Sequence, residues 1–185
     1  ISYLLLIYSQ PSIQINIFLY LFLSLIYNIS LKKIPFLELI VLALGYVIRI
    51  DTGSKIINVE SSLLMLTSVF CLGIFFILLK RIGEINEINK NYNSRPVLKF
   101  YKLNYLKFYS IIFSILFSLN LLFYILTINI NLIFSFILTL IFLIKYYLLT
   151  INSSNGENPI LFILSNKLLL LLMLSILISS LIIYI

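Results

Sequence analysis

The sequence predicts an all-α protein, a polytopic bundle of transmembrane helices, on three observations. First, 62% of its 185 residues are hydrophobic and only 10% are charged, with a mean hydropathy of +1.16. So few charges cannot cover a soluble domain of this size. Second, the apolar residues fall in runs of about 20, the length a helix needs to cross the hydrocarbon core. Third, Lys and Arg alternate in density between successive connections, as a multi-pass topology requires. The same counts exclude other classes. The chain has no His and a single Cys, Cys71, inside an apolar run, so neither a zinc site nor a disulfide framework can be built. Cys71 reads as a small buried hydrophobe. The net charge of +7 sits at helix ends, which fits membrane topology and not a nucleic-acid surface.

Taken in order, the chain begins with "ISYLLLIY", too short to span before "SQPS" ends it, and without the basic start or cleavage site of a signal peptide. It reads as a partial helix, so the sequence is expected to be the C-terminal two-thirds of a longer chain, one transmembrane domain over 1–185. Six full helices are expected near 13–29, 35–52, 62–79, 108–127, 130–149 and 167–185. Pro35 marks a helix start, and "DTGSK" at 51–55 and "SSNGENP" at 153–159 mark breaks. "TININ" joins the fourth and fifth full helices as a tight hairpin. Alternating the connections puts Lys32, Lys33, the seven cations of 80–107, Lys145 and Lys167 on one side, against Arg49 and Lys55 on the other. By the positive-inside rule the 80–107 loop is cytoplasmic and Ile185 points outward.

That loop holds the pattern richest in chemistry. Lys80, Arg81 and Glu84 follow the run "VFCLGIFFILL" directly. Lys80 and Glu84 are spaced to share one helix face, and Glu87 continues it. A cationic pair with a nearby carboxylate suits a phosphorylated ligand. Arg grips phosphate at two points, Lys adds a point charge, and the acid takes a sugar hydroxyl or a divalent ion. "SRPVLKFY" then returns Arg95 and Lys99 to the surface beside Tyr101. The same residues also fit a plain stop-transfer cluster with a surface salt bridge.

"YNISLKKIPFLELIVLALGYVIR", "LLKRIGEINEI", "SRPVLKFY" and "NPILFILSNKLLLLL" together resemble the UbiA-type intramembrane prenyltransferase superfamily. More narrowly, they are similar to its decaprenyl-phosphate phosphoribosyltransferase branch, in which Lys-Arg-x-x-Glu replaces an Asp-rich second motif. The resemblance runs through essentially the whole chain. It implies a nine-helix fold in a bacterial inner membrane, whose first Asp motif would lie in a missing N-terminal part and bind most of the Mg²⁺, with Glu84 as a possible further ligand. It implies transfer of 5-phosphoribosyl from phosphoribosyl diphosphate to a polyprenyl phosphate, in cell-envelope glycolipid precursor synthesis, and no activity from this piece alone. Carried over, Lys80, Arg81 and Glu84 would face the diphosphate substrate, with Arg95 and Tyr101 as loop partners. Tyr27, Lys32 and Lys33 match a Tyr-Ser-x-x-x-Lys stretch, although Asn28 replaces the small hydroxyl residue. Arg49 matches a family Arg, yet the topology puts it at the outer end of its helix, where it reads as structural or snorkelling. Asp51 and Gly53 read as a plain turn, and Tyr105, Tyr109, Tyr146 and Tyr147 as interfacial belt residues. Two alternatives stay open: a UbiA prenyltransferase acting on an aromatic acceptor, for which a second Asp cluster is lacking, and a transporter or non-enzymatic membrane subunit. The charge-free helices at 108–127, 130–144 and 168–185 count against an ion pathway.

Overall fold

The computed structural model describes residues 11–88, 96–128, 130–151, 153 and 155–184. Among these, seven α-helices follow one another: α1 Pro11–Ile29, α2 Leu37–Ile56, α3 Leu63–Ile88, α4 Leu103–Ile128, α5 Ile133–Thr150, α6 Pro159–Ser165 and α7 Lys167–Tyr184. Short 3-10 turns at Leu31–Lys33, Pro96–Phe100, Ile130–Leu132 and Asn155–Glu157 join them. The partial helix expected over "ISYLLLIY" lies outside the described residues, as do Arg95 and Ile185.

Each of the six helices expected from sequence is present, but their ends differ where charge misled the reading. α3 continues nine residues beyond the expected stop at 79. Ile82, fully buried, and Ile85 extend its apolar stripe, and the adjacent charges of Arg81 and Glu84 pair with each other. The 80–107 segment is therefore not one loop, since its first and last parts are helical. α2 runs straight through "DTGSK". Thr52 Oγ1 and Ser54 Oγ bond the carbonyls of Ile48 and Asp51 at 2.6 and 2.8 Å, and Asp51 pairs with Lys55 one turn on. The stop comes at Asn58, whose left-handed φ of 54° lets Val59 N–H reach Ser54 O and Asn58 N–H reach Lys55 O. This is a Schellman closure with Asn in the place Gly usually holds.

Four segments are long and apolar enough to cross a membrane: Pro11–Ile29, Leu63–Glu87, Leu103–Thr127 and Ile130–Thr150. The pair α6 and α7, bent by 97° at Asn166, makes a fifth if taken as one span. α2, at about 30 Å, is long enough but carries Glu38, Arg49, Asp51 and Lys55, so the count of six unbroken apolar spans is reduced to four or five. α6 was not expected at all. This is a multi-pass α-helical membrane protein.

α3 is the central helix: 44% of its apolar span is buried, against 6% for α1. It packs on α2, α4 and α5 and carries most of the core, including Phe75, Leu78, Leu79 and Ile82. The connections alternate between two ends. At one end the turns Leu31–Lys33 and Pro96–Phe100 touch, and the Asn155–Glu157 turn lies on α3. At the other, Asp51 Oδ2 accepts from Asn16 Nδ2 at 2.7 Å and Asp51 Oδ1 from Ser61 Oγ, fastening α1, α2 and the entry to α3. Lys32, Lys33, Lys80, Arg81 and Lys102 gather at the first end, Arg49 and Lys55 towards the second.

Candidate functional site: a buried ion network at one end of the bundle

The site is assembled from three elements. At the start of α2, Phe36 has φ 65° and ψ −44°, and Leu37 N–H bonds Pro35 O at 2.8 Å. That tight turn with positive φ is strained for a bulky residue, at a cost of about 1–3 kcal/mol. It is held from outside. Phe36 N–H donates to the Tyr101 hydroxyl at 2.9 Å, and the two rings meet edge to face at 5.5 Å. The turn aims Glu38, in the first turn of α2, into the bundle.

There Glu38 meets Arg81 of α3. Arg81 Nη2 donates to Glu38 Oε2 at 3.2 Å, and its Nε lies 3.0 Å from Glu38 Oε1, a charge contact without hydrogen-bond alignment. Arg81 Nη1 donates to Glu84 Oε2. The Tyr101 hydroxyl donates to Glu38 Oε1 at 3.1 Å. Arg81 and Glu38 are 2% and 1% exposed. Burying unpaired ions here would be prohibitive, so the guanidinium between two carboxylates is the condition of its burial. Burial also pushes the Tyr101 phenol well above its ordinary range, and Glu38 beside it adds to the shift. Tyr101 thus stays protonated and donates.

A second layer closes over α3. Gly156 packs on Leu79 and Gly83 so tightly that a Cβ on Gly83 would lie 2.6 Å from Glu157 N, and one on Gly156 would lie 2.5 Å from Leu79 O. Asn86 Nδ2 donates to Ser153 O at 3.0 Å, pinning the same segment. This brings Glu157 to Glu87. The hydrogen bond between their carboxyls holds Glu157 above the usual carboxylate range; partial burial and Glu84 add to this, and Lys80 opposes it.

Of the sequence candidates, the structure gathers Lys80, Arg81, Glu84 and Tyr101 at one end, together with Tyr27, which is half-buried and within electrostatic reach of Arg81. Lys32 is exposed on the Leu31–Lys33 turn at the same end. Arg95 falls outside the described residues. Three expectations are corrected. Glu84 pairs with Arg81 at i,i+3, not with Lys80, because the guanidinium lies in the buried interior and the half-buried Lys80 does not. Asp51 belongs to a three-helix fastening and not to a plain turn. Tyr146 is a core residue, fully buried among Phe75, Phe76, Phe142 and Phe162, and its hydroxyl has no hydrogen-bond partner among the described residues. Glu38 was not singled out from sequence. The signal was there: a lone carboxylate in "IPFLELIVLALG" has to find a cation, because a charge in an apolar run is paired or functional.

Fold and site together define a multi-pass helical membrane protein with a closed, buried ion network at one end of its bundle. No known protein family and no curated protein matches the chain detectably.

Proposed function

We propose that the protein is a UbiA-like membrane transferase that moves 5-phosphoribosyl from phosphoribosyl diphosphate to a polyprenyl phosphate in a bacterial inner membrane, with the Lys80 end of the bundle in the cytoplasm. The observation that carries the reading is the convergence of Lys80, Arg81, Glu84, Tyr101 and Tyr27, distant in sequence, at the basic end of the bundle. In the reaction, an oxygen of the lipid phosphate bonds to the anomeric carbon of the ribose, and the bond from that carbon to diphosphate breaks. Lys80 and Lys32 offer point charges to the leaving diphosphate. Arg81, spent on two carboxylates, is a positioning residue: it fixes Glu84, whose second oxygen is left to take a ribose hydroxyl. The apolar helix faces hold the polyprenyl tail. Among the described residues no group of three or more carboxylate, Cys or His side chains is arranged to hold a metal, and Glu84 is engaged by Arg81. These residues by themselves do not make the Mg²⁺ site that the resemblance implies.

One observation favours a second reading. A guanidinium with its donors committed inward is also what a scaffold needs to fasten α2 to α3, and a non-enzymatic membrane subunit would require nothing more. The test is phosphoribosyl transfer to a polyprenyl phosphate by the native full-length protein in detergent. Ribose phosphate on lipid, weakened about 10-fold or more by Lys80→Gln, supports the transferase. Prenyl groups appearing on 4-hydroxybenzoate instead would favour the aromatic-acceptor alternative. A well-folded protein that does neither is the scaffold.

A further inference from the structure

A second cationic feature stands apart from the network, towards the opposite end, and the function proposed above makes no use of it. Arg49 of α2 is exposed, and its guanidinium carbon lies 4.8 Å from the Tyr20 ring centre and 5.6 Å from that of Tyr46. Its Nη2 donates to the Tyr20 hydroxyl. A glycine seats one of the rings. A Cβ on Gly73 of α3 would press on Tyr46 at 3.2 Å, whereas one on Gly45 would stand in ordinary contact with Tyr20 at 3.7 Å. The result is a cation held on an aromatic platform formed by α1 and α2, and backed by α3.

Among the described residues Arg49 has no carboxylate partner. The acid nearest in sequence, Asp51, is saturated: Lys55 and Asn16 occupy one oxygen and Ser61 the other. Stacking fixes the exposed guanidinium, and of its five N–H donors one is given to the Tyr20 hydroxyl, with no other acceptor among the described residues. Apolar residues share the faces that carry the site: Ile17 and Leu23 lie one turn either side of Tyr20 on α1, both half-buried, and Ile56, two turns after Arg49 on α2, is exposed. Arg49 is within about two turns of the end of α2, beside the polar cluster of Asn16, Asp51 and Lys55; in a bundle that spans a membrane, such an end lies towards the headgroups. An unpaired cation at that depth draws its counter-ion from the membrane.

We propose that Arg49, Tyr20 and Tyr46 form a binding site for the phosphate of an anionic membrane phospholipid, its acyl chains lying along the exposed apolar faces of α1 and α2. The test is native mass spectrometry of the intact detergent-purified protein titrated with phosphatidylglycerol. Wild type is expected to retain the lipid, and Arg49→Gln to bind it about 10-fold more weakly, the worth of a charge-assisted contact. Arg49→Lys should fall between, because the ammonium cannot grip phosphate at two points. Gly73→Ala, which pushes the Tyr46 ring outward without removing charge, should weaken binding severalfold while helix content stays at the wild-type level. Lys145→Gln, loss of an exposed charge elsewhere, should change nothing. Equal phosphatidylglycerol retention by wild type, Arg49→Gln and Gly73→Ala would overturn the site. Displacement of the lipid by millimolar inorganic phosphate would overturn the lipid assignment and leave a soluble-anion site.

Discussion

Removing one partner of the buried network and then both separates a fastening from a set of independent contacts. Arg81 stands between Glu38 and Glu84, with side-chain exposures of 2%, 2% and 11% respectively. Arg81→Met leaves two carboxylates facing each other without a cation, the worst arrangement available. Breaking a buried pair from one side costs about 3–5 kcal/mol, and this variant belongs at the upper end. Glu38→Gln keeps the shape and leaves Arg81 still paired with Glu84, so about 3 kcal/mol or less is expected. The double variant Glu38→Gln/Arg81→Met leaves only the partly exposed Glu84 charged. It should be more stable than the sum of the two losses predicts, by about 1–3 kcal/mol. The assay is denaturant titration of the purified protein followed by helical circular dichroism, with the cycle closed across all four proteins. Additive losses, or Glu38→Gln more damaging than Arg81→Met, would refute the reasoning that the guanidinium is what neutralises both acids.

Gly83→Ala places a methyl against the backbone at Glu157 and Gly156, which cannot rotate away, so a loss of about 1–3 kcal/mol is expected; Gly156→Ala strikes the same contact, and stability curves of the pair together should show less than the sum. Tyr101→Phe keeps the edge-to-face ring contact but strips Glu38 of a donor and Phe36 N–H of its acceptor. A cost of about 1.5–3 kcal/mol, read from the same titration, is expected, and an unchanged midpoint would mean that the strained turn at Phe36 holds itself. The Glu157 carboxyl, raised by its hydrogen bond to Glu87, binds its proton more tightly in the folded protein than in the unfolded one. Its contribution is therefore complete below the unfolded carboxyl range and lost as pH rises through the higher folded value. Protease cleavage near 153–158, followed against pH, should increase over that window, and Glu157→Gln should flatten the profile; a profile that keeps its slope in Glu157→Gln assigns the dependence to another group.

Much of this was legible without coordinates, and the reason is the solvent. Inside a bilayer every backbone polar group must be satisfied within its own segment, so apolar runs of about 20 residues become helices whatever their neighbours do. The sequence by itself therefore determined the helical class, the existence of six of the seven long or short helices, the alternation of their connections and the gathering of Lys and Arg towards one end. Local spacing on a helix also brought Lys80, Arg81 and Glu84 together, because it follows from the helical period, whereas Tyr101 joined them only through the resemblance. Helix ends were less legible. "DTGSK" and the charges after Leu79 look like stops, yet the helices run through them, since a charge bounds an apolar span without ending the helix that carries it. Only the tertiary structure decided which carboxylate Arg81 takes: Glu38 lies 43 residues away, and no periodicity reaches across a chain connection. It alone decided that Gly83 is the seat of the Asn155–Glu157 turn, that Tyr146 belongs to the core, and that Arg49 of α2 rests on Tyr20 of α1. Those are matters of close packing between segments, and packing depends on atoms that meet only once the chain has folded.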